Sequence, residues 1–202
     1  MTVNNKSIGL FFGSFNPIHS GHMIIANYML EFTALNEIWF VVSPQNPLKE
    51  RKTLLADYHR LEMVNIAIEN NTQMKSCNIE FKLSKPSYTI DTLTFLKEKY
   101  PKKDFVLIMG ADSLESLRKW KNFRQLLEFY EIYVYPRPGS EGGEFISNQK
   151  VTKVNSPLIE ISSSFIRKAI KEKKNIDYFL PEKVYEYIKE MHFYETPSLT
   201  KQ

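Results

Sequence analysis

Two apolar runs are the feature of this sequence that most constrains its fold. Residues 105–109 and residues 37–43 lack the alternation of polar and apolar side chains that a strand with one wet face shows. Strands of this kind are buried on both faces, as happens when helices cover both sides of a parallel sheet. We therefore expect an α/β protein.

The rest of the chain alternates strand and helix patterns. We expect strands at residues 7–12, 37–43, 76–83, 105–109, 130–135 and 158–161. We expect helices at residues 21–33, 57–69 and 89–99 and from Ser162 onward, with Asp57 as a helix cap and residues 136–143 as a mobile loop. Crossover helices predict a Rossmann-like, doubly wound parallel sheet of about five to six strands. Residues 1–202 are expected to form a single domain, with a helical part at about 162–194.

Composition narrows the functional class. The net charge is +4, but the basic residues are scattered among 23 acidic ones, so we expect an anionic small substrate rather than a nucleic acid. Cys77 is the one cysteine, which excludes an internal disulfide and favours a reducing cytoplasm. No apolar stretch approaches the ~20 residues of a membrane span, and we expect no membrane partner.

The turn after the first predicted strand has the composition of a phosphate site. Small residues such as Gly13 and Ser14 lead into His19 and, three positions later, His22. Histidine donates to anions and can be cationic near neutral pH, and a helix start adds unpaired N–H groups and a positive dipole end. The pair could instead belong to a polar structural turn. A zinc site would need a further protein ligand.

A second candidate anion site lies near the C-terminus. Serines 162–164 open a predicted helix, and Arg167 stands four positions after Ser163, so both side chains face the same space. The alternative is a simple helix cap with a solvated arginine.

Other polar residues follow predicted strands, and parallel strands end at one edge of a sheet. Lys49 and Gly110 belong to this group, as does Asp112, whose carboxylate is costly to bury without partners. Asp112 can meet a ribose hydroxyl or a magnesium-bound water, or it can cap the helix that follows.

Four segments together resemble the bacterial nucleotidylyltransferases, and in particular the nicotinate-mononucleotide adenylyltransferases. Residues 13–22 (GSFNPIHSGH) are similar to G-[GS]-[ST]-F-[DN]-P-x-H-x-G-H, and residues 161–167 (ISSSFIR) to I-S-S-[ST]-x-I-R. Residues 86–93 (PSYTIDTL) and residues 110–113 (GADS) with Trp120 downstream also match. The resemblance covers most of the chain. It implies transfer of the adenylyl group of ATP to nicotinate mononucleotide, giving nicotinate adenine dinucleotide and pyrophosphate in NAD biosynthesis.

The resemblance also implies roles for the matching residues. Catalysis is expected of His19, His22, Lys49 and Arg167. ATP binding is expected of Gly13, Ser14, Phe15, His19, His22, Gly110, Asp112, Ser163, Ser164 and Arg167. Acceptor binding is expected of Asn16, Lys49, Tyr88, Thr89 and Trp120. Without the family pattern, the last three would more often be packing residues, and the pattern favours the acceptor pocket. Mg²⁺ is expected to arrive on the ATP phosphates, with Asp112 as a contact through water.

Some positions depart from the family pattern. Leu48 stands where many members have a histidine before the lysine, and Asn16 stands where aspartate is frequent. Two other functions stay open: a nucleotidylyltransferase for a different phosphate monoester, and a nucleotide-binding module without turnover. An RNA-binding synthetase is the least favoured alternative, because the chain is short for an anticodon domain and lacks a K-M-S-K-S segment.

Overall fold

The computed structural model describes residues 6–44, 54–84 and 86–196. The strands are β1 (Ser7–Gly13), β2 (Glu37–Val42), β3 (Met74–Cys77), β4 (Asp104–Gly110), β5 (Glu131–Tyr135) and β6 (Val151–Lys153). The helices are α1 (Ser20–Phe32), α2 (Asp57–Ile68), α3 (Thr89–Lys99), α4 (Ala111–Glu115), α5 (Phe123–Phe129), α6 (Ser163–Lys171) and α7 (Glu182–Glu190). Within these ranges no helix is long and apolar enough to cross a bilayer.

The strands form one parallel sheet in the order β3-β2-β1-β4-β5-β6. The predicted Rossmann-like α/β fold is confirmed. The chain builds outward from β1 to β3 and then returns to place β4 on the other side of β1. Open sheets of this kind bind ligands at the carboxyl ends of the strands where the order reverses, here between β1 and β4.

Both faces of the sheet are covered, as the apolar runs predict. Neighbouring residues on a strand point to opposite faces of the sheet. Phe11 of β1 and Ile108 of β4 pack on the face covered by α1, α2, α6 and α7. Leu10 and Leu107, the preceding residue on each strand, pack on the face covered by α3, α4 and α5. This follows from the alternation of side chains along a strand. It also explains why the central strands show no polar alternation.

The third strand differs from the prediction of residues 76–83. β3 ends at Cys77, and Ile79–Lys82 form a 3₁₀ turn. Apolar residues alternate through this segment as they do in a strand. However, Glu80 between them is also buried and accepts two side-chain hydrogen bonds, so the segment lacks the strict alternation of buried apolar and exposed polar residues.

The sixth strand also lies elsewhere than predicted. β6 pairs with β5 at the sheet edge, whereas residues 158–161 have no regular structure. Ile159 and Ile161 instead line a cavity at the edge of the sheet. An edge strand of three residues is held mainly by backbone pairing with its neighbour, which leaves little trace in the side-chain pattern.

The helices lie close to their predicted ranges, and α3 coincides with its range. The predicted cap of α2 is wrong: Ala56 occupies the capping position, and Asp57 is the first helical residue. The carboxylate of Asp57 is bound to the guanidinium of Arg60, with Oδ1 and Nη2 2.6 Å apart.

Candidate active site

A cavity of about 870 Å³ opens at the carboxyl edge of the sheet, a size typical of small-molecule sites. It is lined by thirteen of the predicted site residues: Gly13, Ser14, Phe15, Asn16, His19, His22, Tyr88, Thr89, Asp112, Trp120, Ser163, Ser164 and Arg167. Gly110 lies just outside this lining, and Lys49 and Leu48 lie outside the described residues. The fold therefore brings together segments from the whole length of the chain.

The cavity favours anions. The described charged side chains of its lining are four cations and two carboxylates, namely Arg137, Arg167, Lys119 and Lys121 against Asp112 and Glu80. Two helices, α1 and α6, also begin at its wall, and their starts carry partial positive charge.

The two predicted histidines stand at the start of α1. His19 is its N-cap and His22 lies one turn further on, with their rings stacked at a centroid distance of 3.7 Å. The backbone N–H of His19 donates to Nδ1 of His22 at 3.2 Å. A nitrogen that accepts a hydrogen bond carries no proton, so the neutral His22 ring has its proton on Nε2. That nitrogen is a donor.

His19 is uncharged in this site at neutral pH. Burial, together with the nearby Arg137 guanidinium, lowers the pKa of His19 from 6.5 to about 4. Its Nδ1 has no hydrogen-bond partner among the described residues, an uncommon state for a buried polar atom. Desolvation disfavours the charged ring, so His19 meets a ligand as a neutral side chain.

The turn between β1 and α1 is tight around Phe15. Phe15 takes a left-handed backbone angle, φ 44°, and its ring packs back over Gly13. A Cβ on Gly13 would lie 2.8 Å from that ring, so the close packing requires glycine here. Phe15 also packs edge-on against the ring of His22, with ring centroids 5.1 Å apart.

The start of α6 docks on this turn. Ser162 caps the helix by accepting from the N–H of Phe165, while Ser163 Oγ donates to the carbonyl of Pro17 at 2.9 Å. Arg167 Nη1 donates to the carbonyl of Asn16 at 2.7 Å. Capping and docking thus use different serines, and the two predicted anion sites share one cavity.

Arg60, which the sequence patterns do not single out, organises the base of the site. It is fully buried, and its five N–H groups have five acceptors: the carbonyls of Ser14, Ser43, Pro44 and Leu55, and Asp57 Oδ1. Arg60 thereby ties the turn after β1 to the chain after β2 and to the entry of α2. In a sequence, an arginine between apolar positions of a helix is expected to be solvated. No neighbouring residue indicates that this one is buried.

Arg137 is a second residue that the sequence patterns missed, since it lies in the predicted mobile loop. Its Nε is 3.7 Å from Oδ1 of Asp112, and its Nη1 donates to the carbonyl of Ile159. A Cβ on Gly110 would come within 2.4 Å of Asp112 Oδ1 and 2.8 Å of Arg137 Cγ. Gly110 therefore makes room for this ion pair. The loop itself is fastened, because Glu115 Oε1 accepts from two of its backbone N–H groups.

The opposite wall contains the predicted acceptor residues. Tyr88 is the N-cap of α3 and Thr89 its first residue, so the first N–H groups of that helix have no acceptor within it. Trp120 lines the same wall, and the Nζ of Lys121 lies 4.9 Å from the centre of the Tyr88 ring. A helix start beside an aromatic side chain can hold a planar group that carries a carboxylate.

The buried Glu80 carboxylate supports this wall through two hydrogen bonds. It is 2% exposed, and its two carboxylate oxygens accept separately from Ser87 Oγ and Thr92 Oγ1, each at 2.8 Å. The two donors flank the start of α3. One buried carboxylate therefore holds both sides of the Tyr88–Thr89 turn, and the sequence patterns did not reveal this role.

The described residues contain no group of three or more histidine, cysteine, aspartate or glutamate side chains placed to hold a metal ion. Asp112 lies at the cavity wall, with its side chain 55% exposed. A half-exposed carboxylate of this kind can accept from water bound to a cation that a ligand carries.

The sequence matches known proteins along most of its length. A family model described as cytidylyltransferase-like matches residues 10–169. A protein of Christiangramia forsetii named "probable nicotinate-nucleotide adenylyltransferase" is 55% identical over 193 residues, covering 95% of this chain and 100% of the relative. A protein of the same name from Flavobacterium johnsoniae is 54% identical over 190 residues, covering 93% and 98%.

Solved structures share the fold. The nicotinic acid mononucleotide adenylyltransferase of Plasmodium falciparum, complexed with NaAD, superposes with a TM-score of 0.80 at 23% identity and covers 94% of this chain and 98% of its own. The same Plasmodium protein complexed with APC superposes with a TM-score of 0.76 at 24% identity, with the same coverage. At these identities the likeness concerns the path of the backbone.

Proposed function

The chain belongs to the cytidylyltransferase-like family and, within it, to the nicotinate-nucleotide adenylyltransferases, and we propose from this how the residues of its cavity work. The enzyme transfers the adenylyl group of ATP to nicotinate mononucleotide and releases pyrophosphate. The product, nicotinate adenine dinucleotide, belongs to NAD biosynthesis. The contact that carries the proposal is the hydrogen bond from Arg167 to the carbonyl of Asn16, because it joins two anion-binding helix starts at one cavity.

The reaction is a direct displacement at phosphorus. An oxygen of the 5′-phosphate of nicotinate mononucleotide attacks the α-phosphorus of ATP, and a new P–O bond forms. The bond from that phosphorus to the bridging oxygen breaks, and pyrophosphate leaves with the electron pair. The protein positions both reactants in line and stabilises negative charge on the non-bridging and leaving oxygens.

The two histidines serve as donors to those oxygens. His22 has its proton on Nε2 because its Nδ1 accepts from the backbone, so it donates without needing a charge. His19 is neutral before ATP binds, and a polyphosphate beside it supplies the negative charge that favours protonation. The site thus gains positive charge when its anionic substrate is present.

The remaining ATP contacts come from the two helix starts. Gly13, Ser14 and Phe15 line the cavity where the triphosphate enters the turn. Ser163, Ser164 and Arg167 provide hydroxyl and guanidinium donors at the start of α6. Lys49 lies outside the described residues, and its contact with phosphate is part of the proposal.

The acceptor pocket lies at the start of α3. The N–H groups near Tyr88 and Thr89, with the Thr89 hydroxyl, bind the nicotinate carboxylate, and Trp120 stacks on the pyridine ring. The Oδ1 of Asn16 already accepts from Leu55 and Tyr194, so Asn16 shapes the floor of the pocket through the turn. A carboxylate is preferred to a neutral carboxamide in such a pocket.

Magnesium enters as the complex with ATP, where it neutralises phosphate charge. Asp112, exposed at the wall beside Arg137, would accept from a water of that complex. We also place the enzyme in the cytoplasm, with its single cysteine reduced.

Product analysis tests the function. The protein is incubated with ATP, Mg²⁺ and either the acid or the amide pyridine mononucleotide, and the dinucleotide is quantified by chromatography. We expect dinucleotide and pyrophosphate in equal amounts, with higher kcat/KM for the acid. Equal efficiencies for acid and amide would refute the acceptor pocket.

Two other results would point to the alternative functions. Pyrophosphate release only with another phosphate monoester or another nucleoside triphosphate would indicate a different nucleotidylyltransferase. ATP binding without pyrophosphate release under any condition would indicate a binding module without turnover.

A further inference from the structure

The chain beyond α7 folds back onto the turn between β1 and α1. After α7 ends at Glu190, His192 and Tyr194 both take left-handed backbone angles, φ 52° and φ 65°. Residues other than glycine adopt this region seldom and at a cost in conformational energy. The two bends bring Tyr194 against the turn between β1 and α1, where its hydroxyl donates to Oδ1 of Asn16 at 2.8 Å.

Asn16 is the residue through which this turn is held. It is 3% exposed, and its carbonyl accepts from Arg167 while its Oδ1 accepts from the backbone N–H of Leu55 at 3.2 Å as well as from Tyr194. His19, the N-cap of α1, follows three positions later. A displacement of Asn16 therefore moves the start of the helix on which both histidines stand.

The surroundings of Tyr194 keep it a donor. Burial raises the pKa of its phenol, and the neighbouring cations Arg167 and Arg60 only partly oppose this effect. The hydroxyl stays protonated across the physiological range, and its hydrogen bond to Asn16 persists.

We propose that Tyr194 is a positioning residue for adenylyl transfer, which holds Asn16 and through it the histidine turn in the reactive arrangement. This inference rests on the function proposed above. Tyr194 lies 25 positions beyond residue 169, where the match to the cytidylyltransferase-like model ends. The C-terminal segment thus contributes to the reaction centre although it lies outside the common family region.

The same C-terminal part offers a matched control. The hydroxyl of Tyr187 in α7 lies 2.8 Å from Nδ1 of His59 in α2. Both tyrosines thus anchor the C-terminal part through one side-chain hydrogen bond. Tyr187 and His59 do not line the cavity, so replacing Tyr187 tests anchoring without the contact to Asn16.

The experiment compares Tyr194→Phe with Tyr187→Phe in the full chain. Small misplacements of reacting groups slow a reaction strongly, so we expect Tyr194→Phe to lower kcat about tenfold, with KM for ATP changed less than about threefold. We expect Tyr187→Phe to keep kcat within about twofold of the unsubstituted protein. Melting temperatures of both variants establish that the assays use folded protein. A kcat for Tyr194→Phe equal to that of Tyr187→Phe would overturn the proposal, even with a lowered melting temperature.

A spectroscopic measurement separates this inference from the proposed function. In NMR spectra of ¹⁵N-labelled protein without ligand, the signals of the His19 and His22 ring nitrogens should shift in Tyr194→Phe. In Tyr187→Phe they should keep their positions. Unchanged histidine signals in both variants would contradict the positioning role. If the unsubstituted protein forms no dinucleotide, the proposed function fails, and the histidine signals still decide whether Tyr194 sets the geometry of the turn.

Discussion

His19 and His22 stack with their ring planes 29° apart, and the backbone N–H of His19 donates to Nδ1 of His22. Two imidazolium rings with centroids 3.7 Å apart would repel each other strongly in a buried site. The lowered pKa of His19 agrees with this requirement, since it keeps one ring of the pair neutral.

Replacing His22 should abolish most of the activity. His22→Ala removes a donor to the charge that develops in the transition state, worth ~3 kcal/mol, and kcat should fall by at least about 10²-fold. The matched control is His59→Ala. His59 lies in α2 outside the cavity and is hydrogen-bonded to Tyr187. Steady-state kinetics and circular dichroism check the two variants. Near-normal turnover of folded His22→Ala would remove His22 from the mechanism.

The free energy of unfolding should fall on acidification because of His19. Its pKa is about 4 in the folded protein and 6.5 in the unfolded chain, so the unfolded state binds the proton more tightly. The stability that His19 contributes is complete above about pH 6.5 and is lost as the pH falls towards 4, by at most about 3 kcal/mol.

Urea titrations between pH 7.5 and 4.5 measure this loss. His19→Asn should show a flatter dependence than the unsubstituted protein, because asparagine does not titrate. Identical curves for His19→Asn and the unsubstituted protein would show that the ring is not desolvated.

Arg60→Lys should destabilise the protein although the charge is kept. Lysine has three donors for the five acceptors that Arg60 serves, so some of the carbonyls around it lose their donor. Disrupting such a buried network costs about 3 kcal/mol of unfolding free energy. Arg124→Lys, at an exposed position, is the control and should change it by less than about 0.5 kcal/mol. Chemical denaturation measures the free energy of unfolding of both variants. Equal denaturation midpoints would contradict the role of Arg60.

Glu80→Gln should weaken binding of the mononucleotide more than binding of ATP. The amide keeps one accepting oxygen for the hydroxyls of Ser87 and Thr92, so one side of the turn at the start of α3 loosens. Loss of one hydrogen bond to a charged group predicts a rise in KM for nicotinate mononucleotide of about tenfold. Glu98→Gln, exposed on the same helix, should change neither KM. Equal rises in both KM values would place the effect outside the acceptor pocket.

The strands and the histidine turn could be predicted because their signals are local. The apolar runs of β1, β2 and β4 require cover on both faces, and that requirement selects a parallel sheet. α3 is bounded as predicted, by a helix-starting threonine and by Pro101 beyond its end. β6 was missed because three residues at a sheet edge depend on their neighbour strand rather than on their own composition.

The site was only partly predictable. Small residues with histidines at a strand end favour an anion site, and the serines before Arg167 favour a second one. The resemblance supplied the acceptor residues, such as Thr89. Arg60, Arg137, Glu80 and Tyr194 carry no local signal, because a cation in a helix, a loop arginine or a terminal tyrosine is usually solvated.

Local sequence patterns were sufficient to predict the α/β architecture and the phosphate-binding turn. The resemblance of its motifs to a known family was sufficient to predict the type of reaction. The charge state of His19 and the partners of Arg60 and Asn16 came from long-range packing. Tyr194 and Asn16 are 178 positions apart, and only the closed fold puts their side chains in contact. The physical reason is that desolvation and hydrogen-bond geometry depend on which surfaces meet in space, and a residue's neighbours in sequence do not specify those surfaces.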